Sequence, residues 1–370
     1  MSNQYAFKSD IFVVKLIELM NAFRNHFKLH LFLIGIIVFS FGCTADKTGG
    51  EVGQSLFSSL QQEAPLELTL ETSITGLLEG KDEEERQPAR LAIRRNGTEA
   101  EYNIEVRSRG NMRKRYCSFP PLKLYFDRQV LDAQGFSGSD EIKLVTHCQD
   151  AGEQWILKEY LTYRLYNEIS GCSFHVQLAR IHYKDSDGQA PDEIFYAFLI
   201  EPKAEMAARL EANIVEPAGE LKAVQAEGYR QFVLFQYMIG NTDWGLQNGH
   251  NVELIQVGEE AFPTPVPYDF DNAGLVDADY AIPHPNLPIS DVTQRIFQWR
   301  GKSLDGFDET IQHFLDRKAR LIAVIEQFEY LDSNERQKML QYIDEFFQLI
   351  DQDVKEEQWA GALNQPSGWS

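Results

Sequence analysis

Residues 240–257 read G-N-T-D-W-G-L-Q-N-G-H-N-V-E-L-I-Q-V, and residues 263–276 read P-T-P-V-P-Y-D-F-D-N-A-G-L-V. The order is loop, short apolar strand, acidic loop. Asp243, Asn248 and Asn251 precede the strand; Asp269 and Asp271 follow it. Hard oxygen donors at the two ends of one strand suit a magnesium–phosphate site, because Mg²⁺ takes one or two carboxylates together with substrate phosphates. A further aspartate, Asp243, can accept the proton of an attacking hydroxyl. Acidic loops with Asn and Gly are also ordinary turn chemistry. The order of the three pieces therefore carries the reading, and composition alone does not.

Upstream, Tyr229–Ile239 is a strongly apolar helix that stops at Gly240. Pro263, Pro265 and Pro267 keep the approach to Asp269 extended, and Gly274 permits close backbone approach. The proline-rich run 280–288, Y-A-I-P-H-P-N-L-P, is a candidate substrate lip. Residues 306–329 and 333–354 carry apolar residues at helical spacing and read as an αα-hairpin. No internal repeat occurs at solenoid periods.

In the first half, alternation predicts strands at 65–72, 90–95, 102–107, 121–127, 141–146, 174–183 and 193–200. Asn96-Gly97 marks a hairpin between the second and third. That hairpin leads into Arg107-Ser108-Arg109-Gly110-Asn111, a basic loop with a glycine. Lys123 and Lys143 stand on the next two strands, and Glu201 closes the last one, where a hinge or nucleotide-edge residue would lie. An arginine fork and a lysine point charge can hold nucleotide phosphates. Arg107 and Arg109 can equally pair with surface carboxylates. The amphipathic helix 154–169 offers Glu159 and Glu168 as partners for a strand lysine.

The 370 residues, 43% hydrophobic and 12% aromatic, suit a globular protein of one large or two moderate domains. A net charge of −21 without a basic stripe argues against nucleic acid as partner. Residues 31–42, L-F-L-I-G-I-I-V-F-S-F-G, follow Arg24 and Lys28 and fit the apolar part of a signal peptide. Cys43 then suits lipid acylation, with Met20 as an alternative start. The expected organisation is signal peptide 1–42, lipidated end and flexible spacer 43–64, β-rich lobe 65–204, helical lobe 205–358 and tail 359–370. The expected location is the bacterial envelope, lipid-anchored and facing the periplasm or exterior. Of the other cysteines, Cys117 and Cys148 are the first choice for a disulfide; with Cys172 they make three, so one is free or none are paired. His147 beside Cys148 raises a metal, but no second ligand pair has suitable spacing.

Asp243 to Asn248 has the D-x-x-x-x-N spacing of a kinase catalytic loop, and Asp269-Phe270-Asp271 stands where D-F-G would. The order R-S-R-G-N, strand lysine, helix, strand ending in Glu, N-T-D-W…H-N and Y-D-F-D resembles the CotH family of atypical spore-coat kinases. It resembles still more closely the uncharacterised bacterial lipoproteins that share that core. The resemblance covers roughly residues 100–275. It implies an α+β, protein-kinase-like fold: an N-terminal, mostly antiparallel sheet lobe with a helix, and a mainly helical C-terminal lobe. It also implies ATP and Mg²⁺. On it, Asp243 matches the catalytic aspartate, and Asn251, ahead of Asn248, the metal-binding asparagine. Asp269 matches the metal-binding aspartate, with Asp271 beside it. Lys123 matches the phosphate lysine, with Lys143 second, and Arg107 and Arg109 lie in the R-G-N loop. The chain has no G-x-G-x-x-G loop to cover the phosphates.

Three functions follow as expectations. The first is a phosphotransferase using ATP and Mg²⁺ on the hydroxyl of a protein or small-molecule acceptor. The second is an inactive kinase-like binding or scaffold protein on the envelope. The third is a hydrolase with Asp243 and Asp269 as acid and base.

Overall fold

Alternation decides which faces of the first strands are buried. Leu66, Leu68 and Leu70 of β1 (Leu66–Thr72) point inward, as do Leu91 and Ile93 of β2 (Gln87–Arg95) and Ile104 and Val106 of β3 (Thr98–Ser108). Asn96 and Gly97 both adopt positive φ between β2 and β3, and Arg95 pairs with Thr98, so the turn has two residues. β4 (Leu122–Phe126), β5 (Glu141–Val145), β6 (Val176–Asp185) and β7 (Glu193–Ile200) complete the set. The structure, a computed structural model, describes residues 53–148, 152–216, 223–301 and 303–351. The proposed signal peptide, Cys43 and the tail lie outside the described residues.

The seven strands form a closed barrel in the order β1-β2-β3-β4-β5-β7-β6. Six of the pairings are antiparallel; the seventh, β1 with β6, is parallel, from Leu66 opposite Ala179 to Thr72 opposite Asp185. This corrects the expected fold. The protein-kinase-like arrangement of an N-terminal, mostly antiparallel sheet lobe and a helical lobe is not found; a closed mixed barrel stands in its place. Closure removes both sheet edges. Alternation could not reveal it, because alternation reports which face of a strand is buried and not which strand lies beside it.

Short helices punctuate the barrel: α1 (Leu56–Ser59), α2 (Ile74–Glu79), α3 (Met112–Tyr116) and α4 (Arg128–Ala133). The longer α5 (Glu153–Ile169) lies between β5 and β6 in sequence and packs on β6 and β7. It buries Ile156, Leu157, Leu161 and Leu165 in a second core. That core continues into α7 (Ala226–Ile239), α8 (Phe307–Glu326) and α9 (Ser333–Asp351), and the last two pack as the expected hairpin. Around α7 in sequence come α6 (Lys203–Arg209) and the three strands of a small antiparallel sheet, one before α7 and two after it. Its strands are β8 (Ala212–Val215), β9 (Val252–Val257) and β10 (Thr264–Pro267). Thr264 to Pro267, read only as an extended approach, forms β10. A strand with two prolines is tolerated because β10 pairs with β9 alone and sits at an edge.

A disulfide joins Cys117 and Cys148, as expected. Cys172, expected to be left over, is not free: among the described residues no cysteine is. Among the described residues no helix is long and apolar enough to cross a membrane.

Candidate functional site

The two acidic loops meet because the backbone ties them together. α7 ends at Gly240 in the left-handed conformation, φ 65°. The Gly274 N–H donates to the Gly240 carbonyl at 3.2 Å, and the Leu275 N–H to the Ile239 carbonyl at 2.9 Å. The segment that follows Asp271 is thus laced to the segment that precedes Asp243. β9 connects the other ends of the two loops, and the Tyr268 N–H donates to the Asn251 carbonyl at 3.1 Å.

Side chains then converge on Asp243. The Asn251 amide donates to the Asp243 carbonyl oxygen at 2.8 Å and to Oδ2 at 3.1 Å. Asn272 donates to the same Oδ2 at 3.1 Å, and His250 Nε2 lies 2.8 Å from Oδ1. The hydrogen bond to Asp243 raises the His250 pKa. With its amide nitrogen so engaged, Asn251 keeps its side-chain oxygen Oδ1 without a hydrogen bond among the described residues, open to a cation. Asn248 is exposed and accepts from the His250 N–H at 3.2 Å, shaping the turn instead of joining the cluster.

Asp271 is buried, accepting from Asn272 at 3.2 Å and from the Tyr280 hydroxyl at 3.1 Å. Burial, then the neighbouring charge of Asp269, pushes its carboxyl pKa up. Asp269 sits in the left-handed region, φ 62°, and so does Asn251, φ 54°. Its N–H donates to the hydroxyl of the buried Tyr163 at 2.8 Å. Its carboxylate has no hydrogen-bond or ion-pair partner among the described residues. Two carboxylates that repel one another, with an amide oxygen close by, suit a divalent cation that also takes oxygens from phosphate. Among the described residues no group of three or more His, Cys, Asp or Glu is arranged to hold a metal, so the donor set does not form a cage by itself.

The cations lie on the barrel. Arg107, Lys123 and Lys143 occupy adjacent positions of β3, β4 and β5. Arg107 is bound to Glu84 and to the Tyr125 hydroxyl, and Lys123 pairs with Glu141 at 2.6 Å. Lys143 has no carboxylate partner among the described residues and stands 5.3 Å over the Tyr268 ring. Burial, then the positive charge of Arg109, brings its pKa down to about 8 against the pull of Asp269 and Glu253. Arg109, half-buried, also forms no ion pair among the described residues. The structure therefore places Lys143 and Arg109 by the acidic loops, and leaves Arg107 and Lys123 matched to surface acids. Glu201 does not join the site. It is buried under a two-pronged contact from Arg209, 2.8 and 2.7 Å, and accepts the His175 N–H at 2.9 Å. His147 is stacked between Phe119 and Phe195, and burial lowers its pKa to about 4, so it is a core ring.

Sequence reasoning missed Arg113, Asn272, Tyr280 and His250. Arg113 is the second residue of α3 and is 6% exposed; it donates to Glu159 Oε2 at 3.1 Å, and Glu159 is 1% exposed. Burial opposes the Arg113 charge, yet Tyr280, Glu159, Asp271 and Asp269 raise its pKa above the ordinary value. Glu159 responds the other way. Burial, with Asp271 and Asp269 adding to it, pushes its carboxyl up despite Arg113. Both directions have one cause: the buried guanidinium is surrounded by carboxyl groups, which favour its charge and disfavour one another's. Glu159 had been offered as partner to a strand lysine. It is paired, but with an arginine hidden in the basic run M-R-K-R-Y.

No family model matches the chain. No curated protein matches it either. Among solved structures, a proinflammatory kinase of Helicobacter pylori, CtkA, aligns with 62% of this chain and 91% of its own at 10% identity. The TM-score is 0.37, too low for an argument on fold or activity, so the chain has a kinase among its distant structural neighbours and no more.

Proposed function

We propose that the cluster formed by Asp243, Asn251, Asp269 and Asp271 takes a divalent cation and the phosphates of ATP, and supports phosphoryl transfer to a hydroxyl acceptor. One observation carries the reading. Lys143, without a carboxylate partner among the described residues, stands 5.3 Å over the ring of Tyr268, the residue next to Asp269, and feels both the Asp269 charge and that of Arg109, which forms no ion pair among the described residues. Unmatched positive and negative groups facing each other across one site suit a ligand that is itself both, a metal–polyphosphate.

Mg²⁺ bound there would neutralise charge that develops on the transferring phosphoryl group. Asn251, Asp269 and Asp271 would hold it, and Lys143 with Arg109 would hold the phosphate oxygens. Asp243 would orient the acceptor hydroxyl and take its proton as the new P–O bond forms and the bond to the nucleoside diphosphate breaks. The acceptor is a protein or a small molecule bearing a hydroxyl. The protein is an envelope lipoprotein on this reading, acylated at Cys43.

Thermal unfolding of the whole chain with millimolar ATP–Mg²⁺ tests this. A ligand at a hundred times its Kd, bound only by the folded state, adds about 2.7 kcal/mol. A rise in Tm that Asp269→Ala abolishes is the expected result. No rise in the wild type rejects it. A second reading, an inactive binding protein, draws on the three side-chain donors already on the Asp243 carboxylate. A carboxylate held by three neighbouring side chains is less free to turn toward an acceptor hydroxyl. On that reading the Tm rise occurs, but no phosphate leaves labelled ATP.

A further inference from the structure

We infer that Arg113 is a positioning residue: through Glu159 it acts as the fixed internal counter-cation that holds the Asp269–Asp271 loop in place. This rests on the metal–phosphate reading of the same site. It assigns to a buried arginine the pairing that the sequence suggested for a strand lysine.

The argument begins with how Arg113 is delivered. α3 follows the Arg109-Gly110-Asn111 loop directly and is closed at its far end by the Cys117–Cys148 disulfide. The next residues remain attached to the same place. Ser118 Oγ donates to the Cys148 carbonyl at 2.9 Å, and the Phe119 N–H to the same oxygen at 3.4 Å. Arg113 Nη2 itself reaches the Thr146 carbonyl at 3.4 Å, just beyond β5. The guanidinium is thus mounted on a covalently clamped corner of the barrel.

Its partner faces the loop. Glu159 and Tyr163 stand one turn apart on α5, on the same side of that helix. Tyr163 is the residue whose hydroxyl receives the Asp269 N–H. Tyr280, whose hydroxyl donates to Asp271, is buried and also within electrostatic reach of Arg113. Arg113 and Glu159 each retain one buried polar atom, Nε and Oε1, with no hydrogen-bond partner. Such a pair is costly to bury and does little for stability by itself. Its placement among these acids gives it a use: the guanidinium offsets the negative charge that Glu159, Asp271 and Asp269 bring together.

The test uses the full chain with Arg113→Met and Glu159→Gln combined. Removing both partners of a buried ion pair together is commonly tolerated by the fold. The probe is Mn²⁺ alone, followed by its electron paramagnetic resonance signal. Hydrogen exchange of residues 268–274, read by mass spectrometry, gives a second measure that needs no ligand. The expected result is a melting temperature within a few degrees of wild type, exchange at 268–274 faster by about tenfold or more, and Mn²⁺ binding about ten- to a hundredfold weaker, the range for a lost supporting contact. Unchanged exchange at 268–274 in the folded double variant overturns the inference. If wild type binds no Mn²⁺ and shows no response to ATP–Mg²⁺, the metal–phosphate reading fails, while the exchange measurement still decides what Arg113 does. If the double variant does not fold, Arg113→Lys takes its place; it keeps the charge without the fork, exchange at 268–274 should be faster than in wild type, and exchange equal to wild type overturns the inference.

Discussion

At the scale of the residue, Lys143 and Asp271 carry opposite pH signatures. The pKa of Lys143 is lowered to about 8, so the folded protein releases this proton before the unfolded chain does. Between about pH 8 and the ordinary lysine value near 10.4, the unfolded chain binds more protons, and stability rises with pH. Below pH 8 the buried charge is a cost. Lys143→Met should raise the stability of the ligand-free protein at pH 7 by on the order of 2 kcal/mol. It should also weaken ATP–Mg²⁺ binding, and wild-type affinity should fall as pH climbs through about 8; calorimetric titrations at pH 7 and 9 check both. Asp271 runs the other way. Its carboxyl pKa is raised by burial and by Asp269, so the protonated form stabilises the fold at low pH, and that contribution is lost as pH rises. Asp271→Asn should therefore melt higher than wild type at pH 8 without metal, and nearly together with it at pH 4. Added Mg²⁺ should raise the wild type and leave the variant unmoved.

At the scale of the element, the site depends on two glycines and a disulfide. A Cβ on Gly274 would lie 2.4 Å from the Val292 carbonyl oxygen and 2.8 Å from the Thr293 Cα, both backbone atoms that cannot swing away. Gly274→Ala should cost about 1–3 kcal/mol, the usual range for overpacking, seen as a lower urea midpoint. It should also loosen the lacing between Gly274 and Gly240. Reduction of Cys117–Cys148 opens a loop with a sequence separation of 31 and should lower stability by roughly 2–4 kcal/mol. Faster hydrogen exchange around α3 would accompany it. Much at this scale was legible in the sequence. The hairpin at Asn96-Gly97, α5, α7 and the terminal helix pair show in periodicity and turn residues, which are local properties of the chain. The meeting of Asp243 with Asp269 and Asp271 followed from loop, strand, loop. The choice between Lys123 and Lys143 did not, because both alternate outward from the barrel and only Glu141 distinguishes them. Arg113 could not be read either: M-R-K-R-Y looks like a solvated surface, and only the chain folded around it makes the second residue of that run a buried one. β8, β10 and the short helices were missed, since four to seven residues give periodicity too little length to act on.

At the scale of the whole molecule, the net charge of −21 makes cations scarce, so the gathering of Lys143, Arg109 and Arg113 near the acidic loops stands out. Salt should reduce nucleotide binding less than it reduces surface pairing, because partly buried charges are screened less. The expected anchor is a separate matter of the N-terminus: Cys43→Ser should move the protein from the membrane fraction to the soluble one, and unchanged retention rejects acylation there.

The parallel contact between β1 and β6 has a consequence in time. A chain made from its N-terminus can assemble β1, β2 and β3 as a meander at once, but one flank of β1 stays bare until Val176–Asp185 has emerged. Until then that flank offers unpaired N–H and C=O groups to any passing strand. Maturation therefore has a vulnerable interval, closed only when a late segment docks beside the earliest one, and crowding or slow synthesis between the two should show itself as aggregation, not as a misplaced site.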